Sequence, residues 1–149
     1  MSLIDTFLGL FKKAEPQRKE HPLDLACAVL LTEVMQADYE LHESENVGVE
    51  TILEDLFSLP ESECLSLMEK ALDLAKHSND LFQFTEVVNK GFDSDQKFRL
   101  LQGMWQVAFS DNDLDKYEEH TIRKISDLLY MPHSEFIRAK LAARPQGNA

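Results

Sequence analysis

Two stretches of this 149-residue chain, 73 residues apart, repeat one pattern: an apolar helix-like run, an acidic turn, and a second helix-like run. From Leu30 the sequence reads LLTEVMQADYELHESENVGVETILEDLF, and from Gly103 it reads GMWQVAFSDNDLDKYEEHTIRKISDLLY. With Asp38 laid on Asp111, Leu31 meets Met104, Val34 meets Val107, Leu41 meets Leu114, and Glu45 meets Glu118. Val49, Ile52 and Leu56 then meet Ile122, Ile125 and Leu129. Apolar matches at helical spacing predict a repeated helix-turn-helix unit. The acidic matches fall in or beside the turn, where core packing does not require them. They mark the place to look for function.

The rest of the chain agrees with a helical reading. Helices are expected near 3–12, 23–37, 43–57, 61–77, 80–91, 94–109, 115–130 and 133–142, and β-branched alternation is absent. Pro22 suits the first turn of its helix, where a missing N–H costs nothing. Leu59-Pro60-Glu61 and Met131-Pro132-His133 punctuate the ends of the two units alike. Helix 94–109 is apolar on much of its surface (Phe98, Leu101, Met104, Trp105, Ala108), which predicts a central position. The expected fold class is all-α: a single-domain bundle of seven to eight helices with two pseudo-symmetric repeats. Its expected organisation is an N-terminal amphipathic segment and linker (1–20), a helical domain (21–142) and a flexible tail (143–149). An apolar content of 44% is enough for one buried core in a chain of this length.

Composition narrows the partners. A net charge of −12 argues against nucleic acid, whose affinity rests on clustered Lys and Arg, and makes cations the natural small partners. Cys27 and Cys64 sit in apolar helical patterns without paired spacing, so buried reduced thiols in a cytoplasmic protein are expected, and zinc ligation by them is not. The longest apolar run, Leu25 to Leu31, is far short of the ~20 residues of a membrane span. The start, MSLIDTFLGLFKK, carries Asp5 inside its apolar run and lysines after it, the reverse of a secretory signal. Leu3, Ile4, Phe7, Leu8, Leu10 and Phe11 suit a short amphipathic helix docked on this domain or on a neighbouring subunit. Lys12, Lys13, Arg18 and Lys19 add mild basicity, which leaves peripheral attachment at the inner membrane face as the alternative.

The second turn holds Asp111, Asp113, Asp115 and Glu118 in SDNDLDKYEE. D-x-D-x-D matches the start of a calcium loop, where alternate carboxylates face one ion. The sixth position, which should be Gly, is Lys116, and the twelfth, which should be Glu, is Ile122, so an EF-hand is excluded. The first turn has Asp38, Glu40, His42 and Glu45 at the matching places. Carboxylate oxygens suit hard divalent ions such as calcium or magnesium, and His42 leaves room for a softer one such as zinc. A metal-free reading competes with this. Asp115 and Glu118 have the spacing of a capping box, and acids in a first turn complement the helix dipole. Capping does not account for Asp38 and Asp111, which close the preceding helices at their carbonyl-rich ends.

The pattern L-x-x-A-x-x-x-L-L-x-x-V-x-x-A-D-x-x-L-x-x-x-E, from Leu23 to Glu45, resembles the tellurite-resistance TerB family. The second unit, WQVAFSDNDLDKYE from Trp105, and the ending DLLYMPHSEFI extend the resemblance over roughly 21–142. The resemblance implies an all-helical domain with pseudo-twofold repeats and an acidic cluster binding divalent metal, with Asp38, Glu45, Asp111 and Glu118 as the motif acids. It implies a role in stress response or in membrane-associated complexes, with other proteins, a second copy included, as partners. The family often has Gly after the motif Asp, where this chain has Tyr39 and Asn112. Asn tolerates a left-handed turn and Tyr much less so, which predicts a differently shaped first turn.

Signatures of catalysis are missing. None of the five histidines follows a Glu at the E-x-x-H spacing of a di-iron bundle. There is no HExxH, no phosphate-binding glycine loop and no Ser or Cys nucleophile motif. The expected function is a non-catalytic, metal-binding helical module, with a metal-free adaptor as the alternative and a metal-dependent enzyme behind both.

Overall fold

Helical periodicity carries through into structure. A computed structural model describes residues 22–36, 43–78, 80–110 and 116–144, and the backbone alone at 36 and 43–47. Among these residues the chain forms seven helices and no strand: α1 (Leu23–Gln36), α2 (Glu43–Phe57), α3 (Glu61–His77), α4 (Phe82–Gly91), α5 (Ser94–Phe109), α6 (Lys116–Leu128) and α7 (His133–Ala143). The all-α expectation holds, and α2, α3 and α5 have the expected bounds. The expected helix at 3–12 lies outside the described residues. α4 starts two residues later than expected, because Asp80 Oδ1 accepts the Phe82 N–H at 2.9 Å and turns the chain first.

Ala26 to Leu31 of α1 are six consecutive residues with no exposed surface. A helix apolar on every side belongs inside, and α1 packs against α2, α3, α4, α5 and α6. α5 packs against α1, α2, α6 and α7, so the central position predicted for it is shared with α1. The pairings are reciprocal. α1 packs on α2 and α3 as α5 does on α6 and α7, and the cross-contacts α2 to α5 and α1 to α6 repeat each other. This is a pseudo-twofold arrangement of three-helix units, with α4 between them. The duplication therefore reaches one helix beyond the predicted helix-turn-helix. The matched pairs Leu31/Met104, Val34/Val107, Val49/Ile122 and Ile52/Ile125 are all buried.

The two units also end alike. Ser58 (φ 53°) and Tyr130 (φ 58°) occupy the left-handed region two residues before Pro60 and Pro132. Ser58 N–H donates to the Glu54 carbonyl at 2.8 Å, while Tyr130 and Met131 N–H donate to Asp127 and Ser126, each at 3.0 Å. These bonds stop α2 and α6 by closing carbonyls that have no helical partner. They also end α6 two residues before the expected boundary. Each proline then opens the next helix, its carbonyl accepting the N–H groups of Glu63 and Cys64 in α3 and of Glu135 and Phe136 in α7. Neither α2 nor α6 has a basic residue in its last turn. α4 and α5 supply the donors: Asn89 and Lys97 reach the Leu128 and Leu129 carbonyls at 3.0 and 3.2 Å, and Arg99 reaches Asp55 at 3.4 Å.

α2 and α5 meet through two glycines with opposite consequences. A Cβ on Gly103 would lie 2.8 Å from Ile52 Cγ2, whereas one on Gly48 would meet only Val107 Cγ2, at 4.0 Å. Gly48→Ala should stabilise the fold by up to about 1 kcal/mol through helix propensity. Gly103→Ala should destabilise it by about 1–3 kcal/mol, because Ile52 branches too close to the backbone to move aside. Denaturant midpoints of the two variants check the α2–α5 packing. Equal shifts of one sign would contradict it.

Candidate functional site

Of the predicted ligands, Asp38, Glu40 and His42 in the first turn and Asp111, Asp113 and Asp115 in the second lie outside the described residues, as does the side chain of Glu45. The structure does describe the helix ends that flank them. Three contacts set the register of α2 on α5: Gly48 faces Val107, Ile52 faces Gly103, and Arg99 reaches the Asp55 carbonyl. Numbers rise on one helix as they fall on the other, so the two run antiparallel. Continued by one turn, this register brings the first turn of α2, which carries Glu45, beside Phe109 and Ser110 at the end of α5. The end of the helix leading into Asp111 thus meets the start of the helix that follows the first turn. On the other side of the pseudo-twofold, Lys124 of α6 acts electrostatically on Glu33 in the last turns of α1.

Glu118 is the one predicted ligand whose side chain is described. It lies in the first turn of α6 and has no solvent-exposed surface. Among the described residues it is the only buried Asp or Glu. Removing a carboxylate from water costs several kcal/mol and demands compensation by polar partners or a cation. Glu118 is engaged in at least one polar or electrostatic contact. Its neighbour Glu119 accepts a bond from Lys140 Nζ of α7 at 3.1 Å. The same ammonium lies 5.2 Å from the centre of the Trp105 ring, which stacks on Phe109 at 5.8 Å and meets Phe136 edge-on at 5.1 Å. The first turn of α6, the last turn of α5 and α7 are thereby tied into one block. Sequence reasoning missed Glu119 and Lys140, whose partnership spans 21 residues with no local signal. Among the described residues, no three His, Cys, Asp or Glu side chains converge on a position that would hold an ion.

A duplicated helical domain with an acid buried at the start of α6 can be compared with known families. The family model described as Tellurite resistance protein TerB matches residues 24–141. The chain belongs to the TerB family. The TerB match runs from the first turn of α1 into α7 and spans both acidic turns, with all eight candidate ligands inside it. No curated protein and no solved structure matches this TerB chain. Among its described residues, no helix is long and apolar enough to cross a membrane.

Burial pushes the Glu33 carboxyl above the ordinary range, with Lys124 opposing the shift. Partial burial, then the charges of Glu61 and Glu54, raise Glu50. Burial also raises the free thiols Cys27 and Cys64, which keeps both protonated and unreactive. A carboxyl whose pKa is raised by folding binds its proton more tightly in the folded state. The stability it contributes is complete below the unfolded value of about 4.3 and is lost as pH rises through the folded value. Acidifying the cation-free protein from about pH 7 to about pH 5 should therefore raise its thermal midpoint, and Glu33→Gln with Glu50→Gln should flatten that rise. A midpoint falling steadily over the interval would contradict the assignment.

Proposed function

We propose that this TerB-family chain is a non-catalytic helical module that binds a divalent cation between its two acidic turns and acts through contacts with other proteins. The supporting observation is the complete burial of Glu118 at the start of α6. A capping role alone gives no reason for that burial. The chain caps α5 with a box formed by Asp93 and Gln96, bonded both ways at 2.9 Å, and both residues stay exposed. Asp115 and Glu118 share that spacing, yet Glu118 is inside.

Glu118 and Glu45 are the repeat-related acids of two helix starts, and the antiparallel register supports a shared site over two distant ones. Asp38 and Asp111 would complete the inner donors, with Glu40, Asp113 and Asp115 around them. Such an oxygen-rich set fits calcium or magnesium, and His42 admits zinc. A bound cation would supply positive charge that holds the two turns together. The competing reading is a metal-free adaptor whose turn acids are only helix caps. Thermal midpoints with and without millimolar calcium, magnesium, manganese or zinc separate the two. An upward shift with one of them supports the site, and no shift with any of the four overturns it.

A further inference from the structure

The two repeat units differ in charge far more than in fold. α2 and α3 carry nine acids and two lysines, a net −7, while α6 and α7 carry four acids and five bases, a net +1. The outermost helices of the units, α3 and α7, occupy equivalent places on the flanks: α3 packs against α1 and α2, and α7 against α5. Among the described residues, each leaves an outer face uncovered. On α3, Leu65 is 48% exposed between exposed Glu61 and Glu69, at one-turn spacing. On α7, Ile137 and Leu141 are 37% and 58% exposed at the same spacing, beside Arg144, which is exposed, and Arg138, which is exposed although it pairs with Glu135 at 2.6 Å and lies over the Phe98 ring. Each face has an apolar centre, with an acidic border on α3 and a basic one on α7.

We propose that copies of this chain associate head to tail, the acidic α3 face of one copy against the basic α7 face of the next. This inference does not depend on the cation reading. Because the two faces lie on opposite flanks, a copy bound through α3 leaves its own α7 free. The contact is therefore heterologous and continues to a further copy. Two single-helix faces bury less than the ~1,200 Å² of a standard interface, so the association is weak and depends on concentration. Its charged border makes it sensitive to salt.

Sedimentation velocity of the full chain tests this, with two variants at exposed positions whose helical fold is checked by circular dichroism. One is Leu65→Lys with Glu69→Lys, which disables the α3 face. The other is Ile137→Asp with Leu141→Asp, which disables the α7 face. The unaltered chain should show a mass rising with concentration beyond twice its 17.1 kDa and falling back with added salt. Each variant alone should remain monomeric. Mixed in equal amounts, the variants retain one intact face each, so they should form a 1:1 dimer and stop there. A monomer at every concentration would overturn the proposal, as expected if residues 1–20 or another protein took the α7 face. A dimer that either variant abolishes and mixing does not restore would overturn it too.

Discussion

A divalent cation at about a hundred times its Kd should stabilise the folded chain by about 2.7 kcal/mol. For a domain of this size that is a rise in thermal midpoint of roughly 5–10 °C. A site of several carboxylates completed by water has a Kd of roughly 10⁻⁶ to 10⁻³ M, so ~1 mM ion gives the full effect for a Kd up to about 10⁻⁵ M and a smaller rise for weaker binding. Glu118→Gln is the informative variant. Gln preserves size, and it also fits the third position of a capping box, so a pure cap would leave stability and cation response unchanged. If Glu118 is a ligand, the substitution should remove most of the cation-induced shift. Without cation it should cost little, because a neutral amide is cheaper to bury than a carboxylate. Differential scanning fluorimetry with and without ion reads both effects.

The largest loss of stability should come from Trp105→Ala. Trp105 is fully buried between Phe109, Phe136 and the Lys140 ammonium, and links α5 to α7. Truncating a buried aromatic costs about 3–5 kcal/mol, a large part of the 5–15 kcal/mol by which domains are stable. Trp105→Phe should cost much less. It keeps a ring in the aromatic cluster and removes an indole N–H that is buried without a hydrogen-bond partner among the described residues. An unsatisfied donor of that kind costs about 1–3 kcal/mol, which offsets much of the lost area. Urea denaturation followed by circular dichroism measures both variants. Equal losses for Ala and Phe would show that the ring contributes little to the α5–α7 contact.

Helix positions were legible because period and punctuation agreed. The Leu59-Pro60 and Met131-Pro132 junctions ended helices where the apolar pattern also stopped, and the left-handed Ser58 and Tyr130 are the backbone form of that stop. The centrality of α1 was not drawn from the sequence, where the run Leu25 to Leu31 served only to exclude a membrane span; that run breaks the amphipathic pattern because α1 packs against five other helices. The third helix of each repeat escaped detection for a physical reason. Between the Leu56/Leu129 pair and the Ser58/Tyr130 pair the offset between units slips from 73 to 72, so Cys64 and Phe136, both buried at equivalent turns of α3 and α7, do not align under the first register. For the candidate site, the repeated acids were visible in sequence because they break the core pattern. The burial of Glu118 was not, since an acid three residues into a helix reads equally well as an exposed cap. The Glu119–Lys140 link was invisible because nothing local relates residues on α6 and α7.

The shared site is tested most directly by isothermal titration of the stabilising cation into the unaltered chain, Asp38→Asn, Asp111→Asn and the double variant. If the acids of both turns hold one ion, the unaltered chain binds a single equivalent. Each single variant should then weaken binding, and the double variant should lose less than the sum of the two. Two separable binding events, each abolished by one substitution and strictly additive in the double variant, would contradict it.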